Sequence, residues 1–182
     1  MTQHDGPVAL AGLGNMGSAV AGRLARRFAV LGFDVDPTRR ADAADRYKID
    51  VVEDLALLAR ASTVVLSLPT PEVSATVVRT LLADLCPGAL IVETSTVNPA
   101  DMWRLRDFCS PQGVRVVDGA ILSGVAQMAA GRSTLLVGGK AEDLDRAAGV
   151  FEALAPRVLR FGDLVSGRAA KVSNNAVAHA FM

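Results

Sequence analysis

The stretch from Ala9 to Ser18, ALAGLGNMGS, sets three glycines, Gly12, Gly14 and Gly17, at G-x-G-x-x-G spacing directly after an apolar run. Such a motif says little until its surroundings are read. Here Val8–Ala11 reads as a buried strand, and a helix is expected to open at Met16. In that setting each glycine has its own task. Gly12 permits the tight turn, Gly14 lets the main chain approach a pyrophosphate, and Gly17 lets helix and strand pack closely. The helix start offers N–H groups and a positive dipole end to phosphates. Leu13, Asn15 and Met16 complete the predicted phosphate-binding turn. The competing reading is a plain strand-to-helix turn.

A second signal lies downstream in GFDVDP, residues 32–37. A dinucleotide site needs an acidic residue about 20 residues on, at the end of the second strand, to accept from the adenosine ribose hydroxyls. Asp34 falls 22 residues after Gly12. Its carboxylate would repel a 2′-phosphate, which favours NAD. Asp36 takes the role if the strand runs two residues longer. Arg39 and Arg40 keep NADP open, because a guanidinium there pairs with a 2′-phosphate.

Outward from this core, short apolar runs alternate with helical stretches. Strands are predicted at Val8–Ala11, Ala29–Phe33, Thr63–Leu68, Leu90–Glu93, Arg115–Val117, Leu135–Val137 and Val158–Phe161. Most are uninterrupted, as in strands buried on both faces. Helices are predicted from Met16 and near Thr38, Asp54, Glu72, Pro99 and Ala141, with Asp54 and the Asn98-Pro99 pair as starts. The alternation predicts an α/β fold: a Rossmann-type, doubly wound, mainly parallel sheet over residues 1–164. Residues 165–182 read as the start of a long connecting helix whose apolar surface calls for a further domain or a partner.

The bulk numbers fit this reading. The 182 residues are 51% hydrophobic and 4% aromatic, and 19 Lys plus Arg balance 19 Asp plus Glu. A net charge of zero lacks the basic footprint of a nucleic-acid binder. Two distant cysteines, Cys86 and Cys109, and no apolar run near the ~20 residues of a membrane span suggest a reduced, cytoplasmic protein without a membrane partner. The start carries no pattern of a secretory signal. No metal-binding cluster is visible.

The residues also carry a resemblance. GLGNMGSAVAGRL (12–24) resembles the opening motif of the β-hydroxyacid dehydrogenase family, which includes 3-hydroxyisobutyrate dehydrogenases and tartronate semialdehyde reductases. Its relatives include 6-phosphogluconate dehydrogenase and the imine reductases. Three later stretches match in order. VVLSLPTPEV (64–73) is similar to the strand-to-loop segment over the cofactor, IVETSTVNP (91–99) to the S-T-x-x-P signature, and SGRAAKVSNN (166–175) to the G-x-x-x-K-x-x-N-N motif. The match covers the family's N-terminal domain and the start of its connecting helix, without the helical C-terminal domain that usually closes the site and dimerises. The resemblance therefore implies hydride exchange between NAD, or NADP, and a small 3-hydroxy acid or its semialdehyde. It also implies a homodimer formed through a missing or partner helical domain.

Within that resemblance Lys171 is the catalytic acid/base, Asn175 orients the substrate and Asn174 stands beside them. At i, i+3 and i+4 the three share a helix face. An ammonium there stabilises charge growing on a carbonyl oxygen and donates a proton; the neutral amine takes one in the reverse direction. The plain alternative is a surface lysine with its stem on apolar neighbours. His179 is expected to be a packing or pocket-wall residue. Thr96, with Ser95 second, is implied near the nicotinamide ribose, and Leu68 and Pro69 along the cofactor's path.

One segment departs from the pattern. Where the family carries D-A-P-V-S-G-G, this chain has Ala120 for the proline and Leu122 for the serine, with Ser123 and Gly124 one place later. Ser123 and Gly124 remain the expected substrate contacts, with a simple turn as the alternative. The departure leans towards the imine-reductase branch, an NADPH-dependent alternative. The retained Lys171 leans away from it. A third reading is a non-catalytic NAD-binding fragment that needs a second domain.

Overall fold

A computed structural model describes residues 6–165. They build one eight-stranded sheet. In chain order the elements are β1 (Val8–Ala11), α1 (Asn15–Leu24), β2 (Val30–Phe33), α2 (Pro37–Tyr47), β3 (Asp50–Val51), β4 (Thr63–Leu66) and α3 (Pro71–Leu82). There follow β5 (Leu90–Glu93), α4 (Pro99–Cys109), β6 (Arg115–Ile121), α5 (Val125–Ala129), β7 (Thr134–Gly138), α6 (Ala141–Leu154) and β8 (Arg157–Arg160).

The apolar run at β1 shows why the sheet is covered on both sides. Alternate strand residues face opposite ways. Val8 and Leu10 join a core with Val20 and Leu24 of α1 and Val150 and Phe151 of α6. Ala9 and Ala11 join the other core, with Val78 and Leu81 of α3 and Met102 and Leu105 of α4. Each fully buried leucine in these layers contributes about 1.5–3 kcal/mol.

The strand order is β3-β2-β1-β4-β5-β6-β7-β8. All pairings are parallel except β6 with β7. The predicted doubly wound, mainly parallel sheet is present. The chain leaves β1 for β2 on one side and later returns to lay β4 on the other. The crevice at that reversal, outside the carboxyl ends of the strands, is where open α/β sheets place ligands.

Several boundaries differ from expectation. β6 runs on to Ile121, because residues 118–121 pair with β7 and are buried against it. β3 and the five-residue α5 are too short to leave a periodic signal. The helix expected at Asp54 is a single 3-10 stretch, Leu55–Arg60, although Asp54 does accept from the Ala56 N–H at its start. Apart from Val165, the stretch 165–182 lies outside the described residues. No described helix is long and apolar enough to cross a membrane.

The two cysteines are free and lie in opposite environments, Cys86 exposed and Cys109 buried at the end of α4. Loss of hydration pushes the Cys109 thiol up to about 12, so it holds almost no thiolate at neutral pH. A chromogenic disulfide reagent should therefore titrate one thiol in the native protein and two in denaturant. Two fast equivalents in the native state would contradict this packing.

Candidate active site

The turn between β1 and α1 is fixed by contact of main chain with main chain. Gly12 adopts φ 96°, and a Cβ there would overlap the carbonyl oxygen of Ser67, at the exit of β4. A Cβ on Gly17 would overlap the carbonyl oxygen of Gly12. Gly14 is different: the nearest atom to a Cβ there is an Arg39 guanidinium nitrogen in ordinary contact at 3.8 Å, and no main chain lies against it. The Gly12 N–H donates to the Phe33 carbonyl (2.8 Å) and the Ser67 N–H to the Ala11 carbonyl (2.9 Å), tying the turn to both neighbouring strands. The first intrahelical bond of α1 runs from the Ser18 N–H to the Gly14 carbonyl, so the N–H groups before it have no intrahelical acceptor.

Asp34 sits just past β2 and is buried. Its Oδ2 accepts from the Leu13 N–H at 2.8 Å and its Oδ1 from the Asp36 N–H at 3.0 Å. A charged acceptor of this kind contributes about 1.5–3 kcal/mol per bond. The carboxylate thereby locks the glycine turn to the end of β2, and each oxygen keeps further acceptor capacity. Asp36 has another task. It caps α2 by accepting from the Thr38 N–H at 2.8 Å, and that bond holds its carboxyl below the usual range.

The two arginines diverge. Arg40 donates to the Asp34 carbonyl at 2.7 Å and so braces the main chain. Arg39 spans Asp34 at 3.7 Å and Asp36 at 3.6 Å while lining the cavity. Those separations and its exposure put the Arg39 pairs in the range of about 0–1 kcal/mol, so its head group is easily redirected.

A cavity of about 640 Å³ runs along this rim. It is lined by Gly12, Gly14, Asn15, Met16 and Gly17 of the turn, by Asp34, Val35 and Arg39 after β2, by Ser67, Leu68 and Pro69 after β4, and by Thr94, Ser95 and Thr96 after β5. Ile121 and Ser123 close the far end. From β2 to β6 is four strand spacings, about 19 Å, which suits an extended dinucleotide.

Most residues singled out in the sequence thus share one cavity. Leu13 does not line it; its side chain joins the core and its N–H serves Asp34. Gly124 is exposed and is not in the lining; its N–H donates to Gln127 Oε1 at 3.1 Å. Ser123 does reach the cavity, and its hydroxyl pairs with that of buried Ser133 at 2.6 Å. Lys171, Asn174, Asn175 and His179 lie outside the described residues. Sequence reasoning missed Val73 and Val77, one helical turn apart on α3, which supply apolar wall. It also missed Val35, 84% exposed inside an otherwise charged stretch. No cluster suited to a metal ion occurs among the described residues.

The glycines separate packing from binding. Gly12→Ala and Gly17→Ala should each lower stability by about 1–3 kcal/mol or more, through overlap with main chain. Gly14→Ala should melt near the parent temperature yet lose dinucleotide affinity, because its methyl occupies space at the cavity. Thermal melts with NADH titrations test both, and equal destabilisation at all three sites would refute the assignment.

Comparisons with known proteins identify the family. Residues 7–162 match the family described as the NAD binding domain of 6-phosphogluconate dehydrogenase. A probable 3-hydroxyisobutyrate dehydrogenase of Mycobacterium tuberculosis is 32% identical over 171 residues, covering 93% of this chain and 58% of the relative. An NAD-dependent L-serine dehydrogenase of Pseudomonas aeruginosa is 37% identical over 95 residues, 52% of this chain and 32% of that protein. Among solved structures, the Mycobacterium tuberculosis 3-hydroxyisobutyrate dehydrogenase with L-serine superposes at a TM-score of 0.90 and 32% identity, over 95% of this chain and 60% of that one. The chain thus spans about three-fifths of the length of its full-span relatives, and it belongs to the family of the NAD-binding domain of 6-phosphogluconate dehydrogenase.

Proposed function

We propose that the chain binds NAD along the rim cavity and, within a 3-hydroxyisobutyrate dehydrogenase-type enzyme, exchanges a hydride with a small 3-hydroxy acid or its semialdehyde. The observation that carries the reading is the cavity lined from Asp34 to Ser123, with Gly14, free of main-chain contact, in its wall. The residues fit the cofactor. The adenosine half lies at Asp34, whose carboxylate accepts from ribose hydroxyls. The pyrophosphate lies over Gly14 and the first N–H groups of α1. The nicotinamide half lies at Leu68, Pro69 and Thr96, near Ser123. Bound NAD supplies the hydride acceptor.

The protein's own part is positioning and proton transfer. Ser123 holds the polar end of the substrate, with Gly124 taking part once Gln127 releases its N–H. Lys171 moves the proton at the substrate oxygen, while Asn175 and Asn174 orient that oxygen. A reduced cytoplasmic setting suits two free cysteines. A homodimer completes the proposal, and light scattering on the purified protein tests it.

NADH should bind at least about tenfold more tightly than NADPH, a difference of about 1.4 kcal/mol. Arg39→Ala should weaken NADPH further and leave NADH nearly unchanged. NADPH preference in a fluorescence titration would reverse the cofactor assignment and favour the imine-reductase reading, to which Ala120 and Leu122 lend support. Lys171→Ala should cut oxidation of 3-hydroxy acids by about 10²–10⁴-fold while NADH binding survives. Unchanged turnover would overturn the proton-transfer assignment.

A further inference from the structure

Glu93 is the last residue of β5 and is fully buried, yet it does not line the cavity. Its Oε1 accepts from the Ser95 N–H at 2.7 Å. Ser95 Oγ in turn accepts from the Leu68 N–H at 2.8 Å, across to the loop after β4. Ser95 and Leu68 both line the cavity. Beside this relay Thr94 makes a second tie between the same two exits: its N–H and its hydroxyl both donate to the Leu66 carbonyl, at 3.0 and 2.6 Å.

We propose that Glu93 is a positioning residue, which acts through Ser95 to hold the Leu68–Pro69 loop and the Thr94–Thr96 turn as one wall of the cavity. The proposal rests on the NAD reading, in which this wall receives the nicotinamide half. The relay joins the β4 and β5 exits. Asp34, at the β2 exit, is held by separate bonds to Leu13 and Asp36. Loss of Glu93 should therefore act on one half of the dinucleotide. The side chain's part is that of an acceptor for the Ser95 N–H. Its neutral amide isostere can accept the same bond, and a methyl cannot.

The test is a set of binding titrations on the whole chain with two probes, NADH and ADP. The second lacks the nicotinamide and its ribose but keeps the adenosine and pyrophosphate. Glu93→Ala should weaken NADH by about tenfold, as expected when the buried Ser95 N–H loses its acceptor, and leave ADP within about twofold. Glu93→Gln should restore most of the NADH affinity. Ser95→Ala should reproduce the loss, and the Glu93→Ala change should add nothing to it, since both cut one relay. Should Glu93→Ala not fold, Glu93→Met, which fills the space without an oxygen acceptor, carries the same test. Equal weakening of both probes, or a Glu93→Gln loss as large as that of Glu93→Ala, would overturn the proposal. Unaltered NADH binding in folded Glu93→Ala would overturn it while leaving the NAD reading intact. Failure of the parent chain to bind either probe would sink both.

Discussion

The geometry of this domain hangs on a place where a hydrogen atom fits and a methyl does not. At Gly12 the main chain of the β1–α1 turn rests on the Ser67 carbonyl, and at Gly17 the first turn of α1 rests on the Gly12 carbonyl. Three pieces of main chain from two strands and a helix meet without side chains between them. That contact sets how close α1 lies to the sheet and which way its amino end faces. It also sets how near the β4 exit comes to the turn. The cavity is what remains above these surfaces.

Around that contact, strong and weak interactions divide the work. The bonds from Asp34 to the Leu13 and Asp36 N–H groups are short and shielded, and they hold main chain. The Arg39 pairs are long and exposed, and they hold a head group that other anions can claim. A single acidic residue is therefore a strut for the turn that also lines the cavity. Arg40, though adjacent in sequence, braces the Asp34 carbonyl instead.

The central strands and the glycine turn were legible in the sequence because their causes are local. β1, β4 and β5 each carry an unbroken apolar run (Val8–Ala11, Val64–Leu66 and Leu90–Val92), and the turn is written in glycine spacing. The reversed direction of β7 was not legible, because its residues read the same in either direction and only pairing with β6 decides it. Asp34 could be found from its distance along the chain to Gly12. Val73, Val77 and Ile121 could not, because they meet only after α3 and β6 have been laid beside the sheet. The engagement of Gly124 by Gln127 depends on the short helix α5, whose five residues leave no periodic trace.

The ties among the loop exits bear on timing. Leu13 is bound to Asp34, Thr94 to Leu66, and Ser95 to Leu68, all within the domain itself. The loops at this rim are thus ordered when the chain folds, and a ligand does not have to order them on arrival. A preorganised wall of this kind removes a large part of the entropic penalty of association. Encounter rates for related ligands then differ little, and discrimination appears in residence time. Two cofactors that differ by one phosphate would enter this groove at similar speed and be told apart by how soon they leave.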